Sequence, residues 1–586
     1  MIAILKKVFH ILTKEQRRKI SWLCVMIFIG ALLEMIGLSL IMPVVQGVMY
    51  PELLMNSRYI VMLERFVHFE SPDQCILFLI VTIMIIYFVK NGYLLLETYI
   101  QDKFVNDNQS VNISYMLEEY LNRPYEFYLN ADIPTIFRVI DGDVPKVFTV
   151  ILQFIMLFTE LMVSVILGLY LLISNPGMTI LMLSIMIIMT VIITKVCRPV
   201  LNRLGKRTQE LQSRMGKWRL QSIYGIKDVK TLHKEHYFAS SFGAYSDLNA
   251  GILSKYMVLN NVPRLLLETF CISGILAYIG GCIILGADMP SLTPAISAFA
   301  VAAMRLLPSV NRVNTYISNI AYYEPSVNYV YENVDFSSYR EHGHYESKDE
   351  ITGPPITLER EIRMEDVVYV YPESDKVILD HATMVVPKGK SVGVMGPSGA
   401  GKSTAVDVLL GLLKMKSGRI MCDGRDIFEN YPSWLAHIGY IPQSIYLTDD
   451  SIRENIAFGV APDDIDDERV WKVLKEAQLD DLIREMPEQL ETTIGERGVR
   501  LSGGQRQRLG IARALYHDPE ILVFDEATSA LDTDTETAIM EAIDSFHGRK
   551  TLIIIAHRLR TIANCDIIYR VDGGSITETT LEDENV

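Results

Sequence analysis

Apolar residues run nearly unbroken through six stretches of the first half of the chain: residues 21–49, 76–99, 147–173, 178–197, 262–285 and 293–320. Crossing a bilayer takes roughly 20 mostly apolar residues. The pattern therefore predicts six membrane-spanning helices, the last interrupted by Arg305, Pro308 and Arg312. The first run is too long for a secretory signal and lacks a small-residue cleavage site. Between the first two runs, Ile60, Val61, Met62, Leu63, Phe66 and Val67 recur at helical spacing. The connection 50–75 thus reads as an external amphipathic helix on the outer leaflet, or equally as an ordinary ordered loop.

Beyond Tyr339 the pattern changes. A polar stretch marked by Gly353, Pro354 and Pro355 forms an expected linker over residues 340–358. Short β-branched runs then alternate with helical patterns at 392–395, 438–441, 521–524 and 551–555. Such alternation predicts a parallel sheet covered by helices, an α/β nucleotide-type domain over residues 359–586. The expected fold class is a multidomain membrane protein, with a six-helix transmembrane domain over 1–339 followed by this α/β domain. Neither half carries a repeat of 20–50 residues.

Charge sharpens the topology. The 586 residues include 55 Lys and Arg against 70 Asp and Glu, a net charge of −15, which argues against a nucleic-acid partner. Basic residues are nonetheless concentrated. Lys6, Lys7, Lys14, Arg17, Arg18 and Lys19 precede the first run, on an expected amphipathic helix at the interface. Ten more, from Arg198 to Lys234, separate the fourth run from the fifth, whereas the connections 175–177 and 287–292 have none. By the positive-inside rule both termini and the long even-numbered connections face the cytoplasm, and the chain is a multi-pass protein of the cytoplasmic membrane. The seven cysteines are scattered without paired ligand spacing and are expected as free thiols.

The chemistry lies in the second half. From Ser391 to Thr404 a strand runs into a G-x-x-x-x-G-K-S loop and then a helix. Gly396, Ser398, Gly399 and Gly401 let the backbone wrap a phosphate chain, with Thr404 just inside the helix. Lys402 reaches terminal phosphates and the Ser403 hydroxyl suits Mg²⁺. A second apolar strand, 521–524, ends in Asp525 and Glu526. Acids at the end of a buried strand are costly without a cation. Asp525 is placed to organise Mg²⁺ and Glu526 to act as general base on water.

These and further motifs resemble the nucleotide-binding domain of ABC transporters over essentially the whole second half. Leu501-Ser502-Gly503-Gly504-Gln505 matches the family signature, and the run from Ser529 to Asp532 its D-loop. Gln443 matches the Q-loop, His557 the switch histidine, Tyr371 the adenine-stacking aromatic, and the run from Gly495 to Gly498 the exporter X-loop. The resemblance implies ATP and Mg²⁺ as ligands, with Glu526, His557 and Gln443 acting in hydrolysis. It places Ser403, Gln443 and Asp525 around the metal. It also implies sites shared head to tail, the phosphate loop of one copy facing Ser502, Gly503 and Gly504 of another. One loop and one signature per chain then imply a homodimer. Segments 125–141 and 225–235 resemble exporter coupling segments, with a solvated charged loop as the alternative.

Charges within spans are costly and mark function by default. Ala298, Ala302, Arg305, Ser309 and Arg312 recur at steps of four and three, one small and cationic face suited to a cavity. Lys90 sits inside the second run, and Arg264 begins the fifth, where Glu268 offers it a helix pair. Glu34 and Glu160 are the acids that would neutralise Lys90 and Arg305. The cations point to an anionic amphiphile. Residues 50–75, Lys90, Pro263-Arg264 and Arg305 to Arg312 resemble the bacterial lipid-linked oligosaccharide flippases, although Lys90 replaces an expected arginine. The expected function is an ATP-driven homodimeric flippase in contact with membrane lipid, moving a polyprenyl-pyrophosphate-linked glycan. The alternatives are an exporter of another lipid, drug or peptide, or a regulatory membrane ATPase.

Overall fold

The computed structural model describes residues 1–49, 72–174, 176–284, 289–336, 351–495, 498–526, 533–556 and 559–580. The external segment at 50–71, most of the linker, Glu496, Arg497, Ser529, Asp532 and His557 lie outside the described residues. The chain forms two units: Met1–Arg123 with Ala131–Glu346, and Pro124–Asn130 with Ser347–Val586.

The first unit is helical. Six long helices occupy Lys14–Met49, Pro72–Leu121, Val144–Ser174, Pro176–Tyr224, Glu235–Ile284 and Met289–Asn333. Over the described residues, five helices are long and apolar enough to cross a membrane, and the sixth is not among them. A helix of 50 residues such as Pro72–Leu121 is ~75 Å long, more than twice the ~30 Å hydrocarbon core. The long connections after the second and fourth apolar runs are therefore mostly continued helix, not loop. Beyond 200, residues 201, 205, 208 and 211 keep one buried stripe, so helical packing outlasts the apolar run. Gly205 is required there, because a Cβ would strike the Tyr322 carbonyl of the neighbouring helix.

The N-terminal helix Ile2–Ile11 turns Ile4, Val8 and Ile11 into the protein. Lys7 donates to Asn328 at 2.9 Å and pairs with Glu332 at 3.0 Å, at the far end of the sixth long helix. A second tie is Asp143, fully buried at the end of the π-helical turn Val139–Asp143. It pairs with Arg138 and accepts from Ser326 at 2.8 Å and Gln209 at 3.0 Å. A buried carboxylate this well satisfied fixes three helices at one point.

The second unit holds two sheets. Strands β1 (Glu361–Val370), β2 (Val377–Pro387), β4 (Ser417–Cys422) and β5 (Arg425–Asp426) form an antiparallel sheet in the order β2-β1-β4-β5. The six-stranded sheet runs β10-β9-β3-β8-β7-β6, from β3 (Ser391–Met395), β6 (Ile438–Ile441), β7 (Ile521–Asp525), β8 (Thr551–Ile555), β9 (Ile567–Asp572) and β10 (Ser575–Thr579). All its pairings are parallel except β9 with β10. Its central strands are buried on both faces, which is why they read as unbroken apolar runs. This unit also includes the short helix Tyr125–Leu129, whose Glu126 accepts from the Lys414 amide at 2.9 Å.

Candidate functional site

The site forms at the carboxyl ends of β3, β6 and β7, where loops leave a parallel sheet and ligands bind in α/β folds. Out of β3, the loop passes through Gly396, Gly399 and Gly401 with φ of +148°, +77° and +100°. A Cβ on Gly396 would meet the Val571 carbonyl of β9, so sterics as well as φ demand glycine. The helix Lys402–Leu409 starts directly from Gly401. Buried Lys402 donates to the Gly396 and Pro397 carbonyls, each at 3.1 Å, holding the loop in its wrapped form. Burial pushes its ammonium below the ordinary lysine value, and the charges of Glu526 and Asp525 pull it back. Ser398 lies in the same turn, and Thr404, one turn on, bonds the Tyr371 hydroxyl at 2.8 Å.

Ser403 donates to Asp525 at 3.1 Å, and Tyr440 donates to its other oxygen at 3.2 Å. Burial raises the Asp525 carboxyl above the usual range, and these two hydrogen bonds oppose that rise. A desolvated carboxylate beside a hydroxyl offers hard oxygen donors that gain from a cation. The residues therefore fit Mg²⁺, held by Ser403 and Asp525 with Gln443 close by. Glu526 takes φ of +49°, a left-handed conformation rare for a non-glycine residue. Its amide donates to Ile555 at 3.1 Å, and its carboxylate accepts from Gln443 at 2.7 Å. Such strain at the end of a buried strand aims a side chain.

The signature helix Gly503–Leu515 begins at Ser502, which accepts from the Gln505 amide at 3.3 Å while Gln505 accepts from the Ser502 amide at 2.8 Å. This capping box sets the two groups at the start of a helix whose amides favour anions. Gly503 and Gly504 form its first turn. Arg506 ties it back to the Gly498 carbonyl at 3.3 Å. Tyr440 and Asp407 were not anticipated. Asp407 follows Ser403 by four residues, one turn along the same helix, and burial beside Asp525 pushes its carboxyl up to about 6. The placement of Tyr440, three residues before Gln443, was the available signal for it.

In the membrane unit the expected cationic face is partly neutralised. Arg312 and Ser309 both engage Glu160, with one Arg312 contact at 3.1 Å. Glu160 thus answers Arg312 and leaves that face with less free charge than the sequence implied. The side chains of Ala298, Ala302 and Arg305 lie outside the described residues. Arg264 and Glu268 are both exposed, and among the described residues no ion pair joins them. Lys90 is different: it is only 8% exposed and lies over the Tyr87 ring at 4.4 Å. Gly37 of the first long helix leaves room for its stem. No carboxylate pairs with it among the described residues.

The sequence matches the ABC transporter family over residues 379–529 and the ABC transporter transmembrane region over residues 23–291. An ATP-dependent lipid A-core flippase of Vibrio cholerae serotype O1 is 39% identical over 42% of the chain. That match spans only 41% of the relative's own length. One of the same name from Desulfotalea psychrophila is 32% identical over 66% of each chain. The solved structure of a bacterial Atm1-family ABC exporter with ATP bound superposes with a TM-score of 0.78, covering 97% of this chain and 96% of that one at 24% identity.

Proposed function

The chain belongs to the ABC transporter family as an exporter-type half-transporter with fused membrane and nucleotide-binding halves, and on that premise we propose that it is an ATP-driven homodimeric flippase of the cytoplasmic membrane. The observation that carries the ATPase reading is the meeting of Lys402, Ser403, Asp525, Gln443 and Glu526 at the carboxyl ends of the parallel strands. The loop amides and Lys402 bind the phosphate chain of ATP, Tyr371 stacks on adenine, and Glu526 takes a proton from the attacking water. Gln443 orients that carboxylate, and His557 assists at the γ-phosphate. Bound to Ser403 and Asp525, Mg²⁺ supplies charge neutralisation to the transferring phosphoryl group. Ser502, Gly503 and Gly504 of a second copy complete each site, and the short helices Tyr125–Leu129 and Ile226–Thr231 transmit closure to the spans.

The proposed substrate is a polyprenyl-pyrophosphate-linked glycan. Its support is the buried Lys90, without a carboxylate partner among the described residues, a charge in a span that gains from an anionic ligand. Relatives named for flipping lipid A-core support an amphiphile. The test is the protein reconstituted in vesicles with a fluorescent pyrophosphate-linked glycolipid. Mg-ATP-dependent protection of the label supports the reading. Hydrolysis stimulated by another lipid, drug or peptide, without glycolipid movement, moves the assignment to that cargo. Hydrolysis with no movement of any cargo leaves a regulatory ATPase.

A further inference from the structure

Asp525 and Glu526 are neighbours in sequence, yet each is held by a different residue from the β6 side of the sheet. Gln443, in the loop after β6, donates to Glu526 at 2.7 Å. Tyr440, three residues earlier and within β6, donates to Asp525 Oδ2 at 3.2 Å. Strand register puts it there. Tyr440 pairs with Val523 in the parallel ladder. Side chains alternate between the faces of a strand, so Val523 and Asp525 share one face of β7. On that face the half-buried Tyr440 ring packs against the core that includes Val523 and the helix Lys402–Leu409, whereas Ile441 and Phe524 belong to the core on the other face. From this seat the hydroxyl reaches two residues along β7, a diagonal that suits a long aromatic side chain.

Both carboxylate oxygens of Asp525 are therefore oriented, Oδ1 by Ser403 at 3.1 Å and Oδ2 by Tyr440. The two donors differ in duty. Ser403 is itself assigned to the metal, whereas Tyr440 has no role at the cation and serves the carboxylate alone. Its chemistry matters as much as its place. A phenol is a neutral donor, so it fixes the direction of a carboxylate without cancelling the charge that attracts Mg²⁺. A lysine or arginine in the same seat would compete with the cation for that charge. Carboxylates that hold metals depend on such partners, and losing one costs roughly 10–100-fold in metal affinity.

We propose that Tyr440 is a positioning residue for Mg²⁺, holding Asp525 toward the cation from β6 as Gln443 holds Glu526 from the loop that follows. The inference rests on the Mg-ATPase reading and is independent of the cargo. The experiment follows thermal unfolding of the full-length protein with a saturating non-hydrolysable ATP analogue while Mg²⁺ is titrated in from EDTA. Tyr440→Phe keeps the packed ring and removes only the donor. The Mg²⁺ concentration at the half-point of the Tm rise is expected to increase about tenfold. Affinity for the analogue in EDTA is expected to stay that of wild type. Hydrolysis is expected to need correspondingly more Mg²⁺, with kcat recovered when the metal is in excess. Tyr516→Phe is the control, since that phenol accepts from the Asp466 amide at 3.1 Å and touches neither acid. It is expected to lower the ligand-free Tm and leave the Mg²⁺ half-point in place. A half-point unmoved by Tyr440→Phe, or moved equally by Tyr516→Phe, overturns the proposal. A wild-type protein whose Tm does not respond to Mg²⁺ with the analogue removes the Mg-ATPase reading itself.

Discussion

The Gln443 side-chain amide donates to the Glu526 carboxylate at 2.7 Å, joining the loop after β6 to the end of β7. Strand register explains the meeting. Ile441 pairs with Phe524 in the parallel ladder, and both residues lie two positions further along their strands. The carboxylate assigned as general base is thus oriented by the neighbouring strand, while a left-handed φ turns it out of the sheet.

Glu526→Gln is expected to lower ATP turnover by about 10²–10⁴-fold with nucleotide affinity unchanged, the usual loss when a general base is removed. Gln443→Ala, which removes one hydrogen bond to the same carboxylate, is expected to give a smaller loss in kcat. Phosphate release and a fluorescent-nucleotide titration measure both. Near-wild-type hydrolysis by Glu526→Gln would remove it as the base.

Gly396→Ala places a methyl group against the Val571 carbonyl at a φ of +148°. The loop must then move away from β9, at a cost of about 2 kcal/mol or more. The expected outcome is a lower Tm together with at least a tenfold loss of ATP affinity (~1.4 kcal/mol). Wild-type binding would show that the loop tolerates the shift.

The Glu160 pairing with Arg312 and Ser309 is expected to be structural. Arg312→Gln or Glu160→Gln alone leaves a partly buried charge in the span without its partner and costs about 1–3 kcal/mol. The double variant is expected to cost less than the sum, with a coupling of roughly 1 kcal/mol in thermal unfolding. Strict additivity would exclude the pair.

Asp407 supplies a pH signature. Its carboxyl is raised from 3.8 to about 6, first by burial and then by the nearby Asp525 charge. The folded state holds this proton more tightly than the unfolded state. Stability from this group is therefore full below pH 3.8, falls as pH rises toward about 6 and is flat above. Asp407→Asn is expected to raise Tm relative to wild type at pH 7.5 without nucleotide or metal, and the gain is expected to vanish near pH 4. A gain independent of pH would refute the burial argument.

Much of this protein was legible residue by residue. The glycine loop, the acids ending 521–526, the signature serine and the apolar runs are local patterns, fixed by backbone sterics and by the length needed to cross hydrocarbon. The helical continuations past the second and fourth apolar runs were missed because their polar positions hide a buried stripe, as at 201, 205, 208 and 211, which only a packed neighbour makes visible. Arg312 was read as cavity-lining because Glu160 lies 152 residues away, beyond any local pattern. Sequence alone thus determined which groups exist and which element carries each. The order β10-β9-β3-β8-β7-β6 decided which of them meet. Parallel neighbours need long crossovers, so Gln443 and Glu526 come from strands far apart in the chain and converge only once the sheet is assembled.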